Sequence, residues 1–568
     1  MSIEIRAYSN GDEASIVWRA GERIAGCRGF AVLREAVAAD GSTASDTLST
    51  FVGFASQRPL PSGAHRPSTV WPVQRFIWRD YDVEKFQRVR YQVVPMLGPA
   101  DQLTQAPPDQ ASGWTPWLTV GTGQTPGFEA YFNRGIVATQ WLARRLAVPP
   151  DEERAKLGEV IADPTSEIRR FLGGLDRVAL LKLLADAKAN GNVLYLALYE
   201  LDDPELIPAL VAVGAKANLL LANGADTPDE NKEVRQQLRD TSQVKVFDRL
   251  VSSGHFAHNK FVVICDPDGT PQRVWTGSTN WTMTGLCTQA NNALLIDDPV
   301  LATGYLAYWH RLEAAGSAYP PELKAADQQP LRTTVGAARI TAWTTPVPHL
   351  VDLVDARGHL EAATQGVLFL MFVPGKSGTL LNDILALDER RLFVHGVINQ
   401  DPGGAKAPLI KIVQRGHVLD ADPEVILPAA ISAPLASWKQ ELRSYSLAVV
   451  HSKVVVIDPF GPHPVVITGS HNLGPKASGR NDDNLVIIED APGLAAEYAV
   501  NILGVYDQYK WRYNMLVQAK QGAAPDQKAW TGLQDDDTWQ DDFFGEQKQR
   551  ELRFWFGESP ALLDLTSH

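Results

Sequence analysis

The stretch HFAHNKFVVICD, residues 255–266, holds two histidines, a lysine, a short apolar run and an aspartate. Alone it reads as a strand with polar ends. A second stretch, HSKVVVID at residues 451–458, repeats the order His, x, Lys, apolar run, Asp. Side chains alternate along a strand, so a His and a Lys two positions apart share one face in both copies. Around these two stretches three more blocks recur in the same order. GNVLYLALYE from Gly191 matches QGVLFLMFVP from Gln365, WTGSTNWT from Trp275 matches ITGSHNLG from Ile467, and NNALLIDD from Asn291 matches DNLVIIED from Asp483. The offset is 193 residues at the histidines and 192 at the last two blocks. That period is too long for a solenoid. It means two domain-sized halves, expected to be related by a pseudo-two-fold axis.

Helix followed by apolar strand recurs around these blocks, which predicts an α/β region with parallel strands. In DRVALLKLLADAKANG, Val178, Leu181, Leu184 and Ala185 are expected on one helical face, with Asn190-Gly191 as the stop. Residues 1–125 differ. Runs such as ASIVW, GFAVLRE, RFIW, VRYQVVPM and WLTV, separated by polar or Gly/Pro segments, predict a small antiparallel sandwich. It resembles a fibronectin III-like module, with Trp18 and Tyr91 as core aromatics. TGQTPGFEA reads as a linker. The expected organisation is therefore a β-sandwich over 1–125, one lobe over 126–330, a second over 331–520, and an acidic aromatic tail over 521–568, expected to pack on the body.

The chain has 568 residues, too many for one core. Apolar content is 45% and charged content 21%, ordinary for a globular protein. The net charge of −13 speaks against a non-specific nucleic-acid binder. The three cysteines, Cys27, Cys265 and Cys287, form no CxxC pair and read as buried thiols of a reducing compartment. No secretory signal is read at the N-terminus. The most apolar run, VLFLMFV at 367–373, is too short to cross a membrane and reads as a buried strand. A cytoplasmic protein is expected, with any membrane contact peripheral.

His451-x-Lys453, four residues and then Asp458, followed by Gly469-Ser470-x-Asn472, resembles the HxKxxxxD and GSxN motifs of the phospholipase D superfamily. His258-x-Lys260 and Gly277-Ser278-x-Asn280 repeat the pattern in the first half. The resemblance covers roughly residues 170–510. It implies two phospholipase D-like α/β lobes sharing one site, no metal and no cofactor. The first copy departs from the motif: five residues, not four, separate Lys260 from Asp266. A β-bulge within Phe261–Cys265 is expected to absorb the extra residue and keep Asp266 in its usual place.

Cleaving a phosphodiester takes a nucleophile, a proton donor for the leaving oxygen, and positive charge around the non-bridging oxygens. The resemblance gives the first two roles to His258 and His451, acting through a covalent phosphohistidine that passes to water or an alcohol. Lys260, Lys453, Asn280, Asn472, Ser278 and Ser470 would supply charge and hydrogen bonds, with Asp266 and Asp458 in support. In the family, the residue before the Asn-apolar-apolar strand orients the histidine of its own half, here Asn291 for His258 and Asp483 for His451. A carboxylate raises a histidine pKa and an amide much less. On that pairing His258 starts neutral as nucleophile, and His451 starts protonated as acid.

His255 with His258 is not read as a metal pair, because no Cys or carboxylate stands at ligand spacing. His255 is expected to line the pocket. His471 sits at the variable motif position, and Thr276 and Thr468 are expected simply to fit their strands. The substrate is a phosphodiester. Phospholipid is the first reading, through head-group hydrolysis or exchange; nucleic acid is the second; a non-catalytic binding protein on the same fold is the third. A nuclease would need a basic stripe, to which EIRRFLGGLDR and ERRLF would contribute. The second half carries about 19 more residues before its histidine. NQDPGGAKAPLIK and PAAISAPLASW within them are the expected specificity loop.

Overall fold

The computed structural model describes residues 3–57, 64–121, 123–135, 142, 145–149, 152–224, 229–373, 375–387, 392–398, 411–414, 417–418, 450–520 and 532–559. The alternating N-terminal runs form two antiparallel sheets. One contains β1 (Ile3–Ser9), β2 (Ala14–Ala20) and β5 (Ile77–Asp80), in the order β1-β2-β5. The other contains β3 (Cys27–Ala38), β4 (Thr43–Thr47), β6 (Phe86–Leu97) and β7 (Leu118–Thr119), in the order β7-β6-β3-β4, with the short strand Thr104–Gln105 also on β6. Trp18 and Tyr91 are fully buried between them. The Trp18 ring meets Phe30 edge-on at 5.3 Å. The Tyr91 hydroxyl donates to Asp80 at 2.9 Å, and Arg34 pairs with the same carboxylate at 2.7 Å, so the polar tip of a core aromatic is satisfied.

The expected linker ends in a strand. In β8 (Phe128–Phe132), Phe128, Ala130 and Phe132 alternate inward, and β8 closes the edge of the first lobe's sheet. That sheet continues with β9 (Val193–Leu198), β10 (Ala217–Ala222), β11 (Lys245–Arg249), β12 (Lys260–Cys265), β13 (Pro271–Gly277) and β14 (Asn292–Asp297). Its order is β8-β14-β13-β12-β9-β10-β11. Helices α1 (Glu167–Asn190) and α2 (Pro299–Ala315) pack against it. Ser166 caps the start of α1, accepting from the Arg169 amide, and Gly191 ends it in the left-handed conformation. The face of α1 differs from expectation. Leu180, Leu184 and Ala187 are buried, whereas Val178 is 51% exposed and Ala185 is exposed. The apolar residues of this helix outnumber one stripe, and contact with the Leu194, Leu196 and Leu198 side of β9 decides which face turns inward. The sheet is mixed rather than parallel: β9–β10 and β10–β11 are parallel, while the motif strand β12 runs antiparallel to both neighbours.

The second lobe repeats this plan. Its strands are β15 (Leu331–Val335), β16 (Ala338–Thr344), β17 (Gly366–Met371), β18 (Phe393–Ile398), β19 (Lys411–Gln414), β20 (His417–Val418), β21 (Lys453–Ile457), β22 (Val465–Gly469) and β23 (Asn484–Glu489). Their order is β15-β16-β23-β22-β21-β17-β18-β19-β20. The apolar run at 367–373 supplies β17, buried along its length. Helices α3 (Val351–Glu361) and α4 (Pro492–Lys520) belong to this half. From β16 to β18 the order matches the first lobe from β8 to β10, and β17–β18 is the parallel pair. Apart from Lys411, the expected specificity segments lie outside the described residues.

The extra residue of the first motif is not a bulge in β12. Lys260–Cys265 pairs residue for residue with β9. The register shift is against β13, where Ile264 faces Arg273 and Cys265 faces Pro271, so the surplus residue is Gln272 on the partner strand. Near the histidine the two lobes keep one register, Val262 opposite Trp275 and Val455 opposite Ile467. The insertion is thus absorbed at the far end of the strand.

The aromatic C-terminal segment lies on the body. Trp539 packs beside Phe30 and Phe76, and the helix α5 (Glu546–Trp555) brings Phe554 and Trp555 into the same core. Among the described residues no helix is long and apolar enough to cross a membrane.

Candidate active site at the lobe junction

The lobes meet where their motif strands begin. The His258 amide donates to the Asp482 carbonyl at 2.8 Å, and the Asp482 amide returns a bond to Phe256 at 2.9 Å. The mirror contact has the His451 and Ser452 amides both donating to the Ala290 carbonyl at 2.9 Å. Each histidine is therefore pinned by backbone of the other lobe, beside the residue that precedes that lobe's strand β14 or β23.

This docking crosses the orienting pairs. His258 Nδ1 lies 2.8 Å from Asp483 Oδ1, and His451 Nδ1 lies 2.9 Å from Asn291 Oδ1. The within-half pairing expected from the sequence is incorrect. An internal repeat identifies equivalent residues but not which copy faces which across an axis. The carboxylate belongs to His258 and the amide to His451.

The serines complete these pairs. Ser278 Oγ donates to Asn291 Oδ1 and Ser470 Oγ to Asp483 Oδ1, both at 2.7 Å. Each also accepts a strand amide, from Asn292 at 3.0 Å and Asn484 at 3.1 Å. Their hydroxyl protons are committed to the orienting residues, so they are not placed as phosphate donors. The preceding glycines allow this close approach. Gly277 and Gly469 have φ of 146° and 140°, and a Cβ on either would sit 2.3 Å from the Asn292 or Asn484 carbonyl oxygen.

The lysines are placed alike. The Lys260 and Lys453 ammonium groups each donate to the carbonyl of their own motif histidine. They lie 4.7 Å from the ring centres of Tyr199 and Phe372 respectively. Those rings meet His258 and His451 edge-on at 4.8 and 4.5 Å. Asn280 donates through Nδ2 to Glu200 Oε2 at 2.6 Å. Asn472 has a buried Oδ1 without a partner among the described residues.

The two motif aspartates stand away from this cluster and differ from each other. Asp458 is buried and accepts the amides of Thr364, Gln365 and Gly366 and the Thr364 hydroxyl, which fastens the entry to β17. Asp266 stays within its own hairpin, accepting the amides of Asp268 and Thr270. With regular pairing through β12, Asp266 does not reach the place of Asp458.

Other residues without an assigned role also build the junction. Thr276 donates to Asn484 Oδ1 at 2.6 Å, and Asn292 Nδ2 donates to Thr468 at 2.9 Å, so both threonines bind across the axis rather than merely fitting a strand. The repeat aligns Asn292 with Asn484, which is the signal that could have found them. Buried Asp176 and Asp352 sit behind the two GSxN loops. Asp176 accepts from Thr279 at 2.6 Å, and Asp352 lies 3.1 Å from His471 Nε2. His255 stacks on Tyr319 at 4.2 Å. Arg249 grips Asp482 with two bonds, of 2.8 and 3.1 Å, and so fastens the residue that holds the His258 amide.

Burial dominates the electrostatics. It lowers His258 to about 4, aided by Lys260 and opposed by Asp483. Burial and then Lys453 and Lys260 push His451 well below its ordinary value. Lys260 falls to about 7 through burial, with Asp483 and Glu200 opposing, and Lys453 is lowered too. Burial and then Glu230 raise Glu200 to about 7. Burial opposes ionisation of Asp483, but His258, His471 and Lys260 hold it below its usual value. Burial thus favours neutral imidazoles, and the charges around Asp483 favour its ionised form. An arriving anion would favour protonated amines and a protonated ring, while repulsion between the two imidazoles opposes charging both.

A family model described as "Cardiolipin synthase, PLD-like domain" matches residues 177–312 and 358–503. A curated relative, phospholipase D of Rickettsia typhi (strain ATCC VR-144 / Wilmington), is 28% identical over 135 residues, which cover 23% of this chain and 61% of that protein. Among solved structures, phosphatidylserine synthase of Haemophilus influenzae Rd KW20 aligns over 59% of this chain and 83% of its own, at 13% identity and a TM-score of 0.37. Nuc, a phospholipase D family member from Salmonella typhimurium, aligns over 25% of this chain and 90% of its own, at 21% identity and a TM-score of 0.22. With a matched segment in each lobe and both His-x-Lys strands brought to one junction, the chain belongs to the phospholipase D superfamily.

Proposed function

We propose that the protein is a phosphodiesterase that hydrolyses or exchanges phospholipid head groups through a covalent phosphohistidine on His258. The observation that carries this reading is the crossed pairing of the imidazoles. Each ring commits Nδ1 to the opposite lobe, which assigns the chemistry to Nε2. Asp483 accepting the His258 Nδ1–H keeps the Nε2 lone pair available for attack and offsets the positive charge that forms when Nε2 bonds phosphorus. The P–O bond to the leaving group breaks as His451 Nε2–H gives its proton to that oxygen. Neutral His451 then takes a proton from water or an alcohol. The new oxygen bonds phosphorus, and the P–N bond breaks to return His258. Lys260 and Lys453 neutralise the non-bridging oxygens, with Asn280 and Asn472 as donors. His258 remains the nucleophile, for a reason opposite to the one read from sequence: the carboxylate serves the attacking ring, and the amide leaves His451 the readier proton donor. No step calls for a metal.

The lipid reading is supported by the phospholipase D name of the Rickettsia relative and the cardiolipin synthase description of the matching model. It is also supported by the fate of the arginines in EIRRFLGGLDR. Arg169 is fully buried against Asp203 and Glu205, and Arg177 pairs with Glu205, which leaves Arg170 as the one exposed arginine of that run, short of a stripe for nucleic acid. The arginines of ERRLF lie outside the described residues. The test is a product assay with chelator present, using labelled phosphatidylcholine plus ethanol and, separately, single- and double-stranded DNA. Phosphatidylethanol is the expected product. DNA cleavage without lipid turnover would overturn the lipid assignment.

A further inference from the structure

Besides Asp483 against Asn291, a second charged difference between matching positions around the two histidines is Glu200. It stands two residues past β9, and two residues past β17 the second lobe has Val373. The backbone around Glu200 is fixed. Asn231 donates to the Tyr199 carbonyl at 2.8 Å and accepts the Leu201 amide at 3.1 Å, while the Asp202 and Asp203 amides donate to the Trp281 carbonyl at 3.1 and 3.2 Å. These bonds set the half-buried Glu200 beside the loop that carries Asn280, and its Oε2 accepts from Asn280 Nδ2 at 2.6 Å.

An ionised carboxylate only accepts hydrogen bonds. An amide beside one must therefore turn its NH₂ group toward it, even though this leaves Asn280 Oδ1 buried without a partner among the described residues. The NH₂ group has two hydrogens, and Glu200 takes one. We infer, resting on the phosphodiesterase reading above, that Glu200 is a positioning residue: it locks the Asn280 amide so that the second N–H donates to a non-bridging phosphate oxygen, whereas the second lobe, with Val373 at the matching position, has no carboxylate there to lock Asn472.

The lock depends on ionisation. Lys260 and Lys453 face Glu200 from the two motif strands, and Glu230 and Asp202 face it from neighbouring loops. With its pKa near 7, Glu200 is ionised above that pH and protonated below it, where the acid no longer dictates which way the amide turns.

The test uses the full chain and bis(4-nitrophenyl) phosphate, a diester that is neither lipid nor nucleic acid. Glu200→Val, which copies the second lobe, is expected to lower kcat/KM about tenfold, with the loss in kcat. In an Asn280→Ala background it is expected to cost nothing further, because one interaction cannot be removed twice. The wild-type advantage over Glu200→Gln is expected above about pH 7 and to vanish at lower pH. Taking this as a ratio cancels titrations the two proteins share. Additive losses in the double variant, or a pH-independent ratio, would overturn the inference while leaving the phosphodiesterase reading intact. If Glu200→Val does not fold, the Glu200→Gln ratio decides alone. A wild-type chain unable to cleave the diester would overturn the phosphodiesterase reading, and this inference with it.

Discussion

The first lobe sets a histidine against a carboxylate from the second, and the second lobe sets a histidine against an amide from the first. Around this difference the scaffold is nearly the same twice. Both lobes have a lysine bound to its own histidine carbonyl, an aromatic ring under both groups, and a serine holding the orienting residue. Duplication supplies one geometry in two copies, and the differences between the copies are charges: Asp483 against Asn291 and Glu200 against Val373. A two-fold frame can place two rings alike; only unlike neighbours can give them unlike tasks.

The largest expected effect breaks that division of labour. His258→Ala and His451→Ala are each expected to lower kcat on a phospholipid by about 10³-fold or more. They should part company on bis(4-nitrophenyl) phosphate, whose leaving group needs no acid. There His451→Ala should keep a first-turnover burst in stopped flow and His258→Ala should not. A burst in His258→Ala would reverse the assignment.

Next come the orienting residues. Asp483→Asn is expected to cost roughly 10²-fold in kcat/KM, because the attacking ring loses its fixed tautomer and the charge that offsets phosphorylation. Asn291→Asp should cost less than tenfold and shift the pH profile. A carboxylate beside His451 raises its pKa, so the acid keeps its proton to higher pH and the alkaline limb of kcat/KM moves upward. A downward shift, or a shift traced to His258, would contradict the crossed pairing.

Smaller still, the motif aspartates should differ in stability rather than catalysis. Asp458→Ala removes a buried acceptor of four bonds and should cost roughly 2–4 kcal/mol in denaturant unfolding. Asp266→Ala, in a hairpin turn, should cost less than about 1 kcal/mol. Equal losses would mean that the extra residue of the first motif changes nothing.

What the chain made legible follows from which physics is local. Alternation marked the N-terminal strands and buried Trp18 and Tyr91, because period-two burial is written in consecutive residues. The repeat identified both His-x-Lys pairs and the residues that turn out to orient them. It could not state that the pairs are crossed, since that is a property of how two copies dock. Nor could it mark Glu200, whose counterpart by strand register is Val373 although the sequence blocks set it against a proline, and which looks like any acid at a strand end. The motif serines carry donors that suit a phosphate, but only coordinates reveal their commitment to Asn291 and Asp483. The surplus residue before Asp266 pointed to β12. It was absorbed by β13 because β12, central in the sheet, is held on its other side by continuous pairing with β9.

The most direct test of the central claim, that two unlike imidazoles from two lobes act on one phosphorus, is to trap the intermediate. A labelled phosphodiester mixed with His451→Ala, quenched within one turnover and mapped by mass spectrometry, should yield phosphate on the peptide carrying His258, and His258→Ala should yield none. Label on His451 in the wild-type protein, or product formed with no phosphorylated histidine at any time point, would contradict the account.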